Sequence, residues 1–169
     1  MRAWFRRRRS RDDVPVVDRI EAEVLSVVWD EDEAQIVERR EQAWHELRAI
    51  AAEAVIWQDA ANEVLAAISR REPLAELAPR GGPLVRRFCE LRARLPESDD
   101  PELRRVTDIL VPVLDHHALM LSSSLDMLAV DWRSERIVEE LERITGLGAP
   151  AERLEGIYAE LAGAAGFVP

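Results

Sequence analysis

Residues 100–148 read DPELRRVTDILVPVLDHHALMLSSSLDMLAVDWRSERIVEELERITGLG. This stretch decides the fold. Asp100 is suited to cap a helix and Pro101 to begin one, because the first helical residue needs no N–H partner. Glu102 places a negative charge at the positive end of the helix dipole. No glycine then interrupts the chain until Gly146, which supplies the stop just after Arg143. Apolar residues recur at helical spacing: Leu103, Val106, Leu110, Val113, Met120, Met127, Val138 and Leu141. Leu114, Leu121 and Leu128 form a second stripe, and Val111, Ala118, Leu125 and Trp132 a third. An apolar face this wide needs neighbours on more than one side. Pro112 interrupts the pattern on its outer side, and a kink is expected near Asp108.

A polar line runs down the middle of that face: His117, Ser124 and Asp131, seven residues apart. Buried polar groups need partners. The line reads either as core polar groups that fix helix register or as the lining of a small polar pocket inside a bundle.

A second long helix is predicted over 31–71. Val37, Trp44, Leu47, Ile50, Ala51, Ala54, Val55, Ala61, Val64, Leu65 and Ile68 trace its buried face, and Pro73 ends it. Its middle is rich in alanine, which allows close approach of a partner. Residues 31–71 and 101–145 match in length, about 60 Å each, and an antiparallel pair is the expected arrangement. His117 then falls opposite residues 53–59, where Glu53 and Asp59 are the candidate partners. Between the long helices, Pro79, Gly81, Gly82 and Pro83 read as a turn. A short helix over 83–95 follows, with Leu84, Phe88, Leu91 and Leu95 on one face and Cys89 as a small core residue at its edge. A last short helix spans 150–162, with Leu154, Ile157, Tyr158 and Leu161 facing one way. Residues 14–29 are helical in spacing, through Val16, Val17, Ile20, Val24, Val27 and Val28; whether they continue into 31–71 is open. The fold expected is all-α: an elongated bundle built on two long helices with shorter ones packed on it. It forms one domain over 14–163, preceded by a flexible Arg-rich arm at 1–13 and followed by a tail at 164–169.

Composition narrows the function. The chain has 169 residues and a net charge of −10. Residues 1–11 carry six Arg and no acid, whereas the remaining 17 Arg stand against 33 acidic residues, so the body carries −16. An acidic body argues against duplex nucleic acid as a partner. There is no lysine, so Schiff-base chemistry has no residue to use. The single cysteine excludes an intrachain disulfide and suits a cytosolic setting. No run of about 20 apolar residues exists to span a membrane.

Catalytic patterns fail on spacing. His116 and Ser123 share a helical face but stand about 10.5 Å apart along it, beyond hydrogen-bond reach. His116 and His117 point about 100° apart and cannot share a metal from one straight helix. Glu41 and His45 lie on one face without a second such pair. No phosphate loop or dinucleotide fingerprint is present. No catalytic residue, metal ligand set or cofactor is therefore expected. The first reading is a non-enzymatic helical interaction protein, an adaptor, scaffold or regulatory subunit. Its partner is another protein or a second copy, with a homodimer the simplest closure. Trp4 and Phe5 beside Arg6, Arg7, Arg8 and Arg9 compose a basic, aromatic patch suited to anionic lipid. That places the protein in the cytoplasm, with recruitment to the inner face of the membrane. The alternative reading is a ligand- or metal-binding bundle with a polar interior around His117, drawing on Glu53, Asp59, Ser124 and Asp131.

Overall fold

The computed structural model describes residues 16–131, 135–144 and 146–164, and all regular structure among them is helical. In chain order the helices are α1 (Val16–Ser69), α2 (Leu74–Ala93), α3 (Pro101–Asp131), α4 (Glu135–Glu142) and α5 (Ala149–Ala164). The chain divides into two compact units, Met1–Glu41 and Gln42–Pro169, and the boundary falls within α1. Residues 14–29 and 31–71 contribute to a single helix from Val16 onward. Asp30–Glu33 does not interrupt it, because neighbouring carboxylates on a helix point to different sides.

The second unit is a bundle, and its core obeys one rule of spacing. Buried positions alternate three and four apart: Leu47, Ala51, Ala54, Gln58, Ala61, Leu65 and Ile68 on α1. Leu77, Gly81, Leu84, Phe88 and Leu91 do the same on α2. On α3 the set is Leu110, Leu114, His117, Leu121, Ser124 and Leu128, while on α5 Ala151, Leu154, Ile157 and Leu161 fall three, three and four apart. Such a stripe keeps one face of each helix turned to its neighbours along the whole length.

The direction of packing corrects the sequence reading. Gln58 of α1 meets His117 of α3. Six residues further along α1, Val64 lies against Gly81 of α2, and Leu125 of α3 lies against the same glycine. Numbers therefore rise together along α1 and α3, so these two run parallel. Phe88 stacks near His117, so α2 descends as α3 ascends and is the antiparallel neighbour of both. Asn62 binds Leu147 and Gln58 binds Glu155, so the chain through α5 runs antiparallel to α1. The expected antiparallel pairing of 31–71 with 101–145 is thus replaced by an up-down-up arrangement with α2 as the reversing element. The difference originates at Pro79–Pro83. Read as a turn, these residues leave only a short helix between the long ones; in the structure they lie inside α2. The expected single helix through 145 is likewise described as α3 and α4, with residues 132–134 and 145 outside the described residues.

Local propensity argues against helix at 79–83, and packing overrides it. Pro79 and Pro83 are exposed, so the carbonyls of Ala75 and Pro79 that lose their N–H partners lie on the outer side of the helix. Gly81 is buried, and a Cβ there would stand 2.8 Å from Leu125 Cδ1 and 3.3 Å from Val64 Cγ1. Its missing side chain is what admits α1 and α3 to contact with α2. Gly82, one residue on, has nothing within 4 Å of the Cβ it lacks. Other details also differ from the sequence reading. Val37 and Tyr158, placed on buried faces, are 55% and 38% exposed, and Cys89 is exposed rather than a core residue.

These two glycines make a paired test. Gly82→Ala is expected to change stability by less than about 1 kcal/mol, because the restriction of the unfolded chain is set against crowding of the new Cβ by the Pro83 ring that follows it. Gly81→Val is expected to destabilise it by about 1–3 kcal/mol through overpacking. Urea denaturation of both variants checks the contrast.

Candidate functional site

Among the described residues the buried polar side chains of the bundle are Gln58, His117 and Ser124, at 2%, 0% and 1% exposure. Two of them belong to the polar line read from sequence. Ser124 is enclosed on α3, while the side chain of Asp131 lies outside the described residues. Ser122, near the same face, turns its hydroxyl back to the Leu119 carbonyl at 3.1 Å, the ordinary use of a helical serine.

His117 sits at a core position of α3 with Phe88 of α2 beside it, the ring centroids 5.0 Å apart. Its Nδ1 is 2.7 Å from the carbonyl oxygen of Val113, one turn back on the same helix. A carbonyl only accepts, so Nδ1 carries hydrogen and donates. On the other side Nε2 is 3.3 Å from Gln58 Oε1. The Gln58 amide nitrogen donates in turn to Glu155 Oε1 of α5 at 2.8 Å. A line of polar contacts therefore crosses the bundle from the Val113 carbonyl through a buried imidazole and a buried amide to an exposed carboxylate. Burial drives the His117 pKa below the ordinary histidine value; the Val113 hydrogen bond opposes that, and His116 lowers it further.

Neither acidic residue expected near His117 is its partner. Glu53 turns to α2 and the residue that ends it, where Arg94 Nη1 lies 2.8 Å and Arg87 Nε 3.5 Å from its carboxylate. The Arg94 hydrogen bond holds the Glu53 carboxyl below its usual range. Arg87 also lies over the Trp57 ring, 5.5 Å from its centroid. Asp59 is exposed. The residue that does reach the ring, Gln58, lies inside the span expected to face His117, but it is neither apolar nor acidic and a search for either type misses it. The signal that finds it is the run 47, 51, 54, 58, 61, 65, 68, whose three-four alternation places residue 58 in the seam. Trp4, Phe5 and Arg6–Arg9 lie outside the described residues.

A second fastening lies one turn along α1. Asn62 Oδ1 accepts the N–H of Leu147 at 3.0 Å. The bend before α5 is made by Gly146 at φ 120° and Gly148 at φ 61°, both in the region that favours glycine. A Cβ on Gly146 would stand 3.0 Å from the same Asn62 oxygen.

Chemically, the layer is occupied by its own contacts. Both ring nitrogens of His117 face protein atoms, and the ring is fully enclosed. Among the described residues no group of three or more His, Cys, Asp or Glu is placed to hold a metal. The cavities that open on the surface lie elsewhere; one of about 340 Å³ sits at the α2–α3 turn beside Arg92, Ser98, Arg104 and Thr107.

The lowered His117 pKa has a consequence of definite sign. As pH falls, the unfolded chain takes up a proton before the folded protein does. Stability from this group is therefore present above the ordinary histidine range and is lost as pH drops through it toward the folded value. In urea titrations from about pH 7 to 5, wild type is expected to lose more stability than His117→Leu. The difference between the two proteins is the measure, because His45, His116 and the carboxylates are common to both. Equal losses would mean that His117 is not held neutral by burial. Comparison of the chain with protein-family models, with curated proteins and with solved structures returns no match.

Proposed function

We propose that this protein is a non-enzymatic helical interaction protein, and that the N-terminal part of α1 is the helix it offers to a partner. The observation that carries the reading is the exposure of α1 between Glu33 and Gln42, where every side chain is exposed. Ile36 and Val37 are among them, at 58% and 55% exposure. Upstream on the same helix, Val16, Val17, Ile20, Val24, Val27 and Val28 recur at helical spacing. An apolar stripe on a helix gains about 25 cal/mol for each Å² it removes from water, and a partner helix is the surface that fits it. A second copy supplies such a helix with no further component, so a homodimer through α1 is the form proposed.

The binding bundle around His117 is the weaker reading. A ring whose two nitrogens both face protein atoms and which has no exposed surface leaves no room for a ligand. The same enclosure argues against general acid or base work on a substrate, which requires reach of the reacting proton. The arm at 1–13, whose first eleven residues carry six Arg and no acid, supports a reading as a cytoplasmic protein recruited to anionic lipid at the inner face of the membrane. No helix among the described residues is long and apolar enough to cross a membrane.

Sedimentation velocity tests the association directly. At micromolar concentration the full chain is expected to sediment as a dimer that dissociates on dilution. The double variant Ile36→Glu, Val37→Glu is expected to weaken it at least about tenfold, equivalent to ~1.4 kcal/mol. A compact monomer at every concentration, unchanged in the variant, removes the dimer. Flotation with anionic vesicles at low salt, with and without residues 1–13, tests the arm in the same preparation. Loss of binding on deletion supports it, and equal binding rejects it.

A further inference from the structure

The hydrogen atoms along the polar layer do not suffice for all its contacts when His117 is neutral. Nδ1 must carry hydrogen, because it faces the Val113 carbonyl at 2.7 Å. In a neutral ring Nε2 is then a bare lone pair, and it faces Gln58 Oε1, a second acceptor, at 3.3 Å. The other end of that amide is committed, donating to Glu155 at 2.8 Å. Two acceptors in contact in a site with no exposed surface are repulsive and gain nothing from solvent.

Two arrangements remove the conflict. In the first, His117 takes a proton from solvent at Nε2 and donates to Gln58 Oε1, while the amide nitrogen continues to donate to the Glu155 carboxylate. Every contact in the line is then donor to acceptor. In the second, the ring stays neutral and the Gln58 amide inverts, so that its nitrogen donates to His117 Nε2. Its oxygen then faces Glu155, whose carboxylate has no hydrogen to give. Glu155 is exposed and turns to water, and the bond from α1 to α5 is lost. Only a protonated Glu155 would restore it.

We propose that Gln58 is a proton-driven switch that couples the protonation state of buried His117 to the contact between α1 and α5 at Glu155. The groups that face the ring are few. α1 presents Gln58, α2 the uncharged Phe88 ring at 5.0 Å, and α5 the Glu155 carboxylate at one remove through the amide. From its own helix His116 stands 6.3 Å away, ring centre to ring centre, and opposes a second positive charge. Burial and His116 disfavour the charged ring and the Val113 hydrogen bond favours it, while the bond from Gln58 to Glu155 holds the amide in the orientation that receives the ring's second proton. Without this arrangement Gln58 would be a static core amide; with it, a change of one proton in the interior alters a bond at the surface of the bundle.

Glu155→Gln separates the switch from a merely structural amide. The new side chain carries its own NH₂, which satisfies the inverted Gln58 and favours the neutral arrangement, and its exposed position leaves the core intact. The experiment is an NMR titration of the full ¹⁵N-labelled chain from about pH 8 to 5, following the His117 ring nitrogens and the Gln58 side-chain NH₂. In wild type the two signals are expected to move together with one midpoint, and the neutral ring to be the Nδ1–H tautomer. In Glu155→Gln both are expected to move together to a lower midpoint, by about half a pH unit or more. A neutral ring in the Nε2–H form overturns the proposal. So does a Gln58 signal that ignores the ring, a midpoint unchanged in Glu155→Gln, or a ring that stays neutral down to acid unfolding.

Discussion

The bundle depends on an atom that is missing. α2 can lie against both α1 and α3 because Gly81 has no Cβ, and the side chains of Val64 and Leu125 close on the space it leaves. Remove that approach and the three-four stripes of the long helices have no common surface to share. The same contact explains why two prolines and two glycines are tolerated in α2. The cost of the prolines falls on an outer face where water can take up the freed carbonyls, while the gain is made on the inner face, at Gly81, by dispersion and burial. Two links of α2, one at each end, then oblige α3 to run back alongside α1.

Within that frame the layer at His117 is expensive. A leucine pair in its place would bury more apolar surface and need no partner. What the polar layer adds is a fixed level: the ring can meet Gln58 only when α1 and α3 are at one height, and Gln58 can meet Glu155 only when α5 is too. Hydrocarbon packing is indifferent to slips of a turn in a way that these directional contacts are not. Asn62 with Leu147 repeats the restriction at the mouth of α5. The ion pairs of Glu53 with Arg87 and Arg94 are partly exposed and add little by comparison.

Much of this is legible in the sequence, in proportion to how local the controlling physics is. Periodicity locates the long helical segments, and the cap at Asp100 is real: its Oδ1 accepts the N–H of Glu102 at 2.8 Å. The burial of His117 and Ser124 follows from their place on an apolar face. Pro79–Pro83 reads wrongly because its helical state is imposed by residues distant in the chain, Val64 and Leu125, which no local rule sees. One misplaced turn then inverts the relation of the long helices, since a chain that reverses twice ends parallel to its start. Glu53 and Asp59 answer the question of which residue could balance a histidine's charge. The register of α1 instead asks which residue points inward, and there the answer is an amide.

The separation along the chain of the contacts that secure α5 bears on how the protein assembles. Gln58 and Glu155 are 97 positions apart, and Asn62 and Leu147 are 85. The neighbours α1–α2 and α2–α3 are joined through short turns and close at small entropic cost, whereas α5 must return to α1 across nearly the whole bundle. On that ground the hairpins are expected to form first and α5 to dock last. During synthesis α1, α2 and α3 are made before α5, so Gln58 precedes its α5 partner Glu155 by most of the bundle. Gln58 and Asn62, the two side-chain amides of α1 that bond toward α5, are the latches on which the last helix finds its height.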